Sequence, residues 1–213
     1  MGITIFAQGR IDRIGDIPSL IDDLQQFAGE HNWNYRIIDD DFDVQPNAII
    51  GRSGSNAPAC AIEGSLGLKG IILTIDHGAE PFMVLFDRSG VLTDMMQQVS
   101  WISSNGTDER FTACKTQFGN IDSHIGIIEL LDSLKKKYIT DLAVDDEGAF
   151  WETRDHRILS EKRIFLGHCL RQTENVINSI EIQDDDARDA EAIASRIEEA
   201  LLKADEDGQL PRQ

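Results

Sequence analysis

Residues 71–86 read IILTIDHGAEPFMVLF, and the fold turns on this stretch. Ile71, Ile72, Leu73, Thr74 and Ile75 form one apolar run, and Phe82, Met83, Val84, Leu85 and Phe86 form a second. β-Branched and aromatic side chains suit a pleated, half-buried surface. Between the runs, Asp76-His77-Gly78-Ala79-Glu80-Pro81 has the composition of a turn. Two short strands joined in this way predict an antiparallel hairpin. Helical periodicities lie on either side of it, so an α+β arrangement is expected.

Upstream, Ile3, Ile5 and Ala7 alternate as a first strand, and Asp16-Ile17-Pro18-Ser19 opens a helix with an acidic cap and proline in its first turn. Leu20, Ile21, Leu24, Phe27 and Ala28 then line one face as far as His31. Trp33, Tyr35 and Ile37 alternate as a strand that runs into the aspartates at 39, 40, 41 and 43. Ala48-Ile49-Ile50 is a short strand, and glycines at 51, 54, 64, 67 and 70 punctuate the chain from there to the central hairpin.

Downstream, Leu92, Met95, Met96, Val99 and Ile102 predict a short helix capped by Thr93, and Phe111, Ala113 and Lys115 resume a strand period. Asn120 or Asp122 caps a helix lined by Ile121, Ile125, Ile128, Leu131 and Leu134. Lys135, Lys136 and Lys137 favour the negative end of its dipole. Leu142 and Val144, then Phe150, Trp151, Glu152 and Thr153, read as two short strands around the turn Asp145-Asp146-Glu147-Gly148. From His156 the pattern is helical to the end, through Leu159, Leu166, Cys169, Val176 and Ile180. After the Asp184-Asp185-Asp186 break it resumes with Ala190, Ile193, Ile197, Ala200 and Leu201. The expected architecture is α+β: a largely antiparallel sheet, helices packed on one face and a C-terminal helical pair. Residues 1–183 are expected to form a single α+β domain, and residues 184–213 an acidic C-terminal helix and tail.

The chain has 213 residues, 41% of them hydrophobic, which is enough for a real core. Its 38 acidic and 20 basic residues give a formal net charge of −18. Residues 181–213 alone hold 11 acids and 4 bases. Such a field repels phosphate backbones and anionic lipid, so neither nucleic acid nor a membrane is an expected partner. The longest uninterrupted apolar stretch, residues 82–86, is far shorter than the roughly 20 residues of a bilayer span. Met1 leads directly into Gly-Ile-Thr-Ile-Phe, without a basic segment and apolar core of signal-peptide type. Cys60, Cys114 and Cys169 are odd in number, contain no CxxC pair and sit among apolar neighbours. Free buried thiols in a reducing, cytoplasmic setting are the expectation.

Several chemistries can be weighed. Gly51-Arg52-Ser53-Gly54-Ser55 and the G-x-x-G-x-x-G run at 64–70 match neither GxxxxGK[ST] nor GxGxxG, so turns and bulges are expected there. There is no GxSxG nucleophile elbow and no HExxH. The 39–43 run lacks the glycine and terminal glutamate of an EF-hand loop. Asp146, Glu147, Glu152 and His156 surround an acidic turn and combine carboxylates with imidazole, the donor set of a divalent metal. His77 and Glu80 form a smaller group of the same kind. His124 and His168 are expected to be half-buried, hydrogen-bonded histidines. Cys114 with His124 has the composition of a nucleophile and base, but its apolar strand context opposes a reactive thiol. Trp151 is a candidate interface anchor, and Ile193, Ile197 and Leu201 form the apolar stripe of a helix that needs a packing partner.

The segment from Lys115 to Asp155 contains Lys115-Thr116-Gln117-Phe118, His124 and Asp146-Glu147-Gly148-Ala149-Phe150-Trp151-Glu152-Thr153. It resembles an uncharacterised bacterial protein family of unknown function, over about a fifth of the chain. The resemblance implies a bacterial cytoplasmic origin and brings no activity, cofactor or catalytic residue.

The expected function is that of a non-catalytic cytoplasmic binding protein whose acidic surface engages a basic protein partner, in an immunity- or antitoxin-like role. It would need no cofactor. One alternative is a metal-assisted hydrolase using a divalent metal at 145–156. Another is a structural homodimer, formed through the C-terminal helices with Ile193, Ile197 and Leu201, that binds no ligand.

Overall fold

The computed structural model describes residues 2–52, 60–179 and 190–208. The chain divides into two compact units, residues 2–158 and residues 159–213. The expected division at 183 falls outside the described residues.

The first unit is α+β, with its antiparallel pairing spread over three sheets. Strand β1 (Thr4–Gln8) lies between β8 (Thr112–Lys115) and β9 (Ala143–Asp146). A four-stranded sheet has the order β2 (Asn34–Asp39), β5 (Leu68–Thr74), β6 (Phe82–Asp87), β7 (Leu92–Thr93). Strands β3 (Ile49–Arg52) and β4 (Cys60–Glu63) form a separate two-stranded ribbon. The hairpin expected from residues 71–86 is the centre of the four-stranded sheet, with Ile71 opposite Val84 and Leu73 opposite Phe82.

Helix α1 (Ile17–Glu30) buries Ile17, Leu20, Leu24 and Ala28 at helical spacing. Asp16 occupies its N-cap position, but the carboxylate accepts from Arg13 Nε at 2.8 Å rather than from a helix N–H. Helix α2 (Met95–Ser103) starts later than expected, because Leu92 and Thr93 pair with β6 and Asp94 caps it by accepting from the Gln97 N–H at 2.8 Å. Helix α3 (Ile121–Lys137) keeps its expected bounds, with Asn120 as cap and three lysines in the last turn.

Register places Tyr35, Ile37 and Asp39 on the same face of the four-stranded sheet as Ile71 and Leu73, and α1 lies there. The opposite face carries Ile38, Leu68, Ile72, Met83 and Leu85, which pack with Met95, Val99 and Ile102 of α2. Both faces of this sheet are therefore covered. The two larger sheets are tied where Thr112 Oγ1 donates to the Met83 carbonyl at 2.6 Å and Arg110 Nη1 meets Asp87 at 2.5 Å. Burial on its own would raise the Asp87 pKa. The Arg110 guanidinium, the Val91 N–H and Ser89 outweigh it and hold the carboxyl below its ordinary value.

Residues 150–153 were expected to be a strand and instead form the one-turn helix α4 (Phe150–Thr153). Asp146 causes the change. Its carboxylate accepts from the N–H groups of Gly148, Phe150 and Trp151 at 2.7, 2.7 and 2.9 Å, which curls the chain back on itself. Ala149 and Arg154 take positive φ (58° and 54°) on either side of the turn. The glycine run at 64–70 bends at Gly64 and enters β5 without the expected bulge, since Gly70 keeps register with Ile38 and Leu85; φ is 96°, 63° and 148° at Gly64, Gly67 and Gly70.

In the second unit, α5 (His156–Asn178) begins at the end of the first unit, and α6 (Ala190–Glu206) completes the expected helical pair. No helix among the described residues is long and apolar enough to cross a membrane.

Candidate functional site

Of the acids in the turn at 145–156, Asp146 is the buried one. His124, on α3, is wholly buried. Its Nε2 lies 3.2 Å from both oxygens of Asp146, at the end of β9. The other ring nitrogen, Nδ1, is 2.8 Å from Thr116 Oγ1, which in turn reaches the Ile3 carbonyl at 3.3 Å. Burial would raise the Asp146 pKa, but the His124 hydrogen bond and charge and the backbone N–H donors more than offset it, and the carboxyl is held below its ordinary value.

Hydroxyl, imidazole and carboxylate thus stand in line, in the order a nucleophilic triad uses. Thr116 and His124 have no exposed surface, however, and Asp146 is saturated by three backbone donors and the imidazole. A nucleophile must reach substrate. This set instead joins the N-terminal strand region, α3, β9 and α4 into one polar tie.

The four residues expected to hold a metal are used separately. Asp146 belongs to that tie. Glu147 Oε2 accepts from the Thr4 N–H at 2.8 Å. Glu152 is exposed, and the His156 ring stands edge-on to Phe150 with centroids 5.1 Å apart. Among the described residues no group of three or more His, Cys, Asp or Glu side chains is disposed to hold a metal ion. His77 is exposed, while Glu80 Oε2 accepts from the Lys115 N–H at 3.2 Å.

Cys114 donates to the Glu80 carbonyl at 3.1 Å, and burial together with the charges of Glu80 and Asp76 pushes its pKa up to about 12. The turn after β5 is held by Asp76, which accepts from the N–H groups of Gly78, Ala79 and Asn120 and from the Ser123 hydroxyl.

The expected interface residues fall on both units. Trp151 is half-buried, with the Arg154 guanidinium 4.8 Å and Lys135 Nζ 5.8 Å from its ring centre. On α6, Ile193, Ile197 and Leu201 are half-buried. Ile197 and Leu201, with Ala194, Glu198 and the 60% exposed Leu202, line an apolar hollow of about 470 Å³.

A second hollow, of about 430 Å³, has no counterpart among the residues singled out from the sequence. It lies between α1 and the sheet. Ile14, Ile17, Pro18, Ile21, Ile37 and Phe42 supply its apolar lining, and Asp22, Gln25, Asp39 and Lys69 its polar rim. Lys69 Nζ is 2.6 Å from Asp39 and 5.1 Å from the Phe42 ring centre, so this rim cation is already engaged. Gln25 Nε2 donates to the Tyr35 hydroxyl at 2.9 Å and closes the far end. The alternation of Tyr35 and Ile37 was the available signal. Nothing in the sequence placed α1 beside it.

Comparison with known proteins gives no match: no family model, curated protein or solved structure is similar to the chain.

Proposed function

We propose that the chain is a non-catalytic bacterial cytoplasmic binding protein whose acidic surface engages a basic protein partner, in an immunity- or antitoxin-like role. The observation that carries this reading is the acidic surplus of α1 and residues 34–43, of which Asp22 and Asp39 reach the rim of the hollow while Asp23 and Glu30 lie towards α3. Helix α1 holds Asp22, Asp23 and Glu30 and no basic residue, and residues 34–43 hold Asp39, Asp40, Asp41 and Asp43 against Arg36 alone. The nearby cations are paired within the chain, Lys69 with Asp39 and Lys137 with Asp23. Surplus negative charge beside an apolar hollow suits a partner that brings both lysine or arginine and an apolar anchor.

The test is retention of cytosolic bacterial proteins on the immobilised full chain at about 50 and about 300 mM salt, since screening weakens attraction between exposed charges. A retained basic protein released by the higher salt supports the reading. A complex indifferent to salt, or no retained protein, overturns it.

A second reading, a homodimer formed through α6, is favoured by the apolar hollow along Ile197 and Leu201. Light scattering on the full chain and on Leu201→Glu tests it: a dimer that the substitution splits supports it, and a monomer in both removes it.

A further inference from the structure

We infer that the outer edge of β2 receives an extended segment of the partner as an added strand, with one apolar side chain of that segment seated in the hollow beside α1; this rests on the acidic-binding reading. Strand β2 is the first in the order β2-β5-β6-β7, so one side of it pairs with β5. Among the described residues no strand pairs with the other side. Its ladder with β5 is continuous from Asn34 opposite Thr74 to Asp39 opposite Lys69. Natural edges are usually blunted by proline, lysine, a bulge or a covering element. Asn34–Asp39 carries two charged side chains, Arg36 and the Lys69-paired Asp39, but contains neither proline nor lysine, and its register has no bulge. Instead it presents Tyr35 and Ile37, 46% and 44% exposed, on the face where the hollow opens.

Strand addition combines two sources of recognition: main-chain hydrogen bonds hold the segment, and pockets for alternate side chains select it. Here Ile37 reaches the hollow and Arg36, its neighbour in sequence, points to the opposite face. An incoming apolar residue opposite Ile37 therefore enters the hollow. Residues two positions away on the same face come opposite Tyr35 and the Lys69-paired Asp39, with Asp22 of α1 on the rim of the hollow. The residues between them meet Arg36, which disfavours a second basic row. The segment that fits alternates, with lysine or arginine two residues from leucine on either side, so that one of them meets Asp39 in either strand direction, and with small neutral residues between. Charge selects this occupant over a second copy, which would bring the same acidic α1 and the same aspartates at 40, 41 and 43 on a chain of net charge −18.

The experiment uses the full chain and a blocked peptide of sequence Lys-Thr-Leu-Thr-Lys, followed by fluorescence anisotropy at low salt. Its controls are the same peptide N-methylated along one edge, the leucine-to-alanine peptide, and the protein substitution Ile37→Asp. Binding weakened roughly tenfold or more by each change supports strand addition. Equal binding of the plain and N-methylated peptides overturns strand addition and leaves the acidic-binding reading standing. No binding of the plain peptide, while the immobilised chain still retains a basic protein at low salt, overturns it in the same way. A chain of doubled mass that Ile37→Asp returns to a monomer assigns the edge to a second copy and also overturns it.

Discussion

The buried tie at His124 and Asp146 and the open groove at Tyr35 and Ile37 use polar and apolar residues in opposite ways. In the tie, ionisable side chains lie inside with all their hydrogen bonds made. In the groove, large apolar side chains lie outside beside carboxylates that face solvent. A buried polar network is tolerable only when every donor and acceptor is satisfied, so the tie is committed to holding the fold. An exposed apolar hollow contributes little to folding and remains free to bind. The sequence offered Asp146 of the first region only as part of an alternative metal site and did not single out the second, which we propose as the binding surface.

The sharpest way to break this comparison is to remove the carboxylate from the tie. Asp146→Ala leaves His124 and three backbone N–H groups without their acceptor. It is expected to cost about 3–5 kcal/mol in urea unfolding, and a loss below about 1 kcal/mol would show that the tie does not hold α4 in place. Cys114 tests how well the same interior is sealed. With a pKa near 12 against an ordinary 9.0, its thiolate is roughly a thousandfold depleted. Labelling at mild alkaline pH should therefore spare Cys114 in the folded protein and modify it only in denaturant, as peptide mass spectrometry would read out.

Acid probes the buried carboxylates together. Asp87 and Asp146 have folded pKa values below the ordinary 3.8. Their contribution to stability is complete above that value and is lost as pH falls through the lower folded values. Burial raises Asp94 instead, so it acts with the opposite sign and costs stability as pH rises past 3.8. Thermal melts should hold steady near neutrality and fall steeply only below about pH 4.

Smaller changes sharpen the contrast. Ala149 adopts a left-handed backbone, so Ala149→Gly is expected to raise stability by about 0.5 kcal/mol in the same unfolding assay. Ile37→Ser, on the open edge, should shift stability by no more than about 0.5 kcal/mol while weakening the alternating peptide. A large loss of stability would make Ile37 part of the core rather than a binding residue.

Much of the local structure was legible because its signals are local. Pro18 and the spacing of Leu20, Leu24 and Ala28 mark α1, and Asn120 with the three lysines marks both ends of α3. The turn at 76–81 joins β5 to β6 as its composition required. Residues 150–153 defeated the reading because a carboxylate several residues earlier captures their N–H groups, a choice that strand period does not encode.

By itself the sequence determined the α+β class, the central hairpin, the main helices and the acidic charge, since each comes from periodicity, capping and composition. Only the tertiary structure decided which acids are spent. It brought His124 to Asp146 from 22 residues away, and it set α1 against Ile37 and Lys69 to make a hollow. Those juxtapositions come from packing elements distant along the chain, and in them one aspartate becomes a structural anchor and another the rim of a hollow.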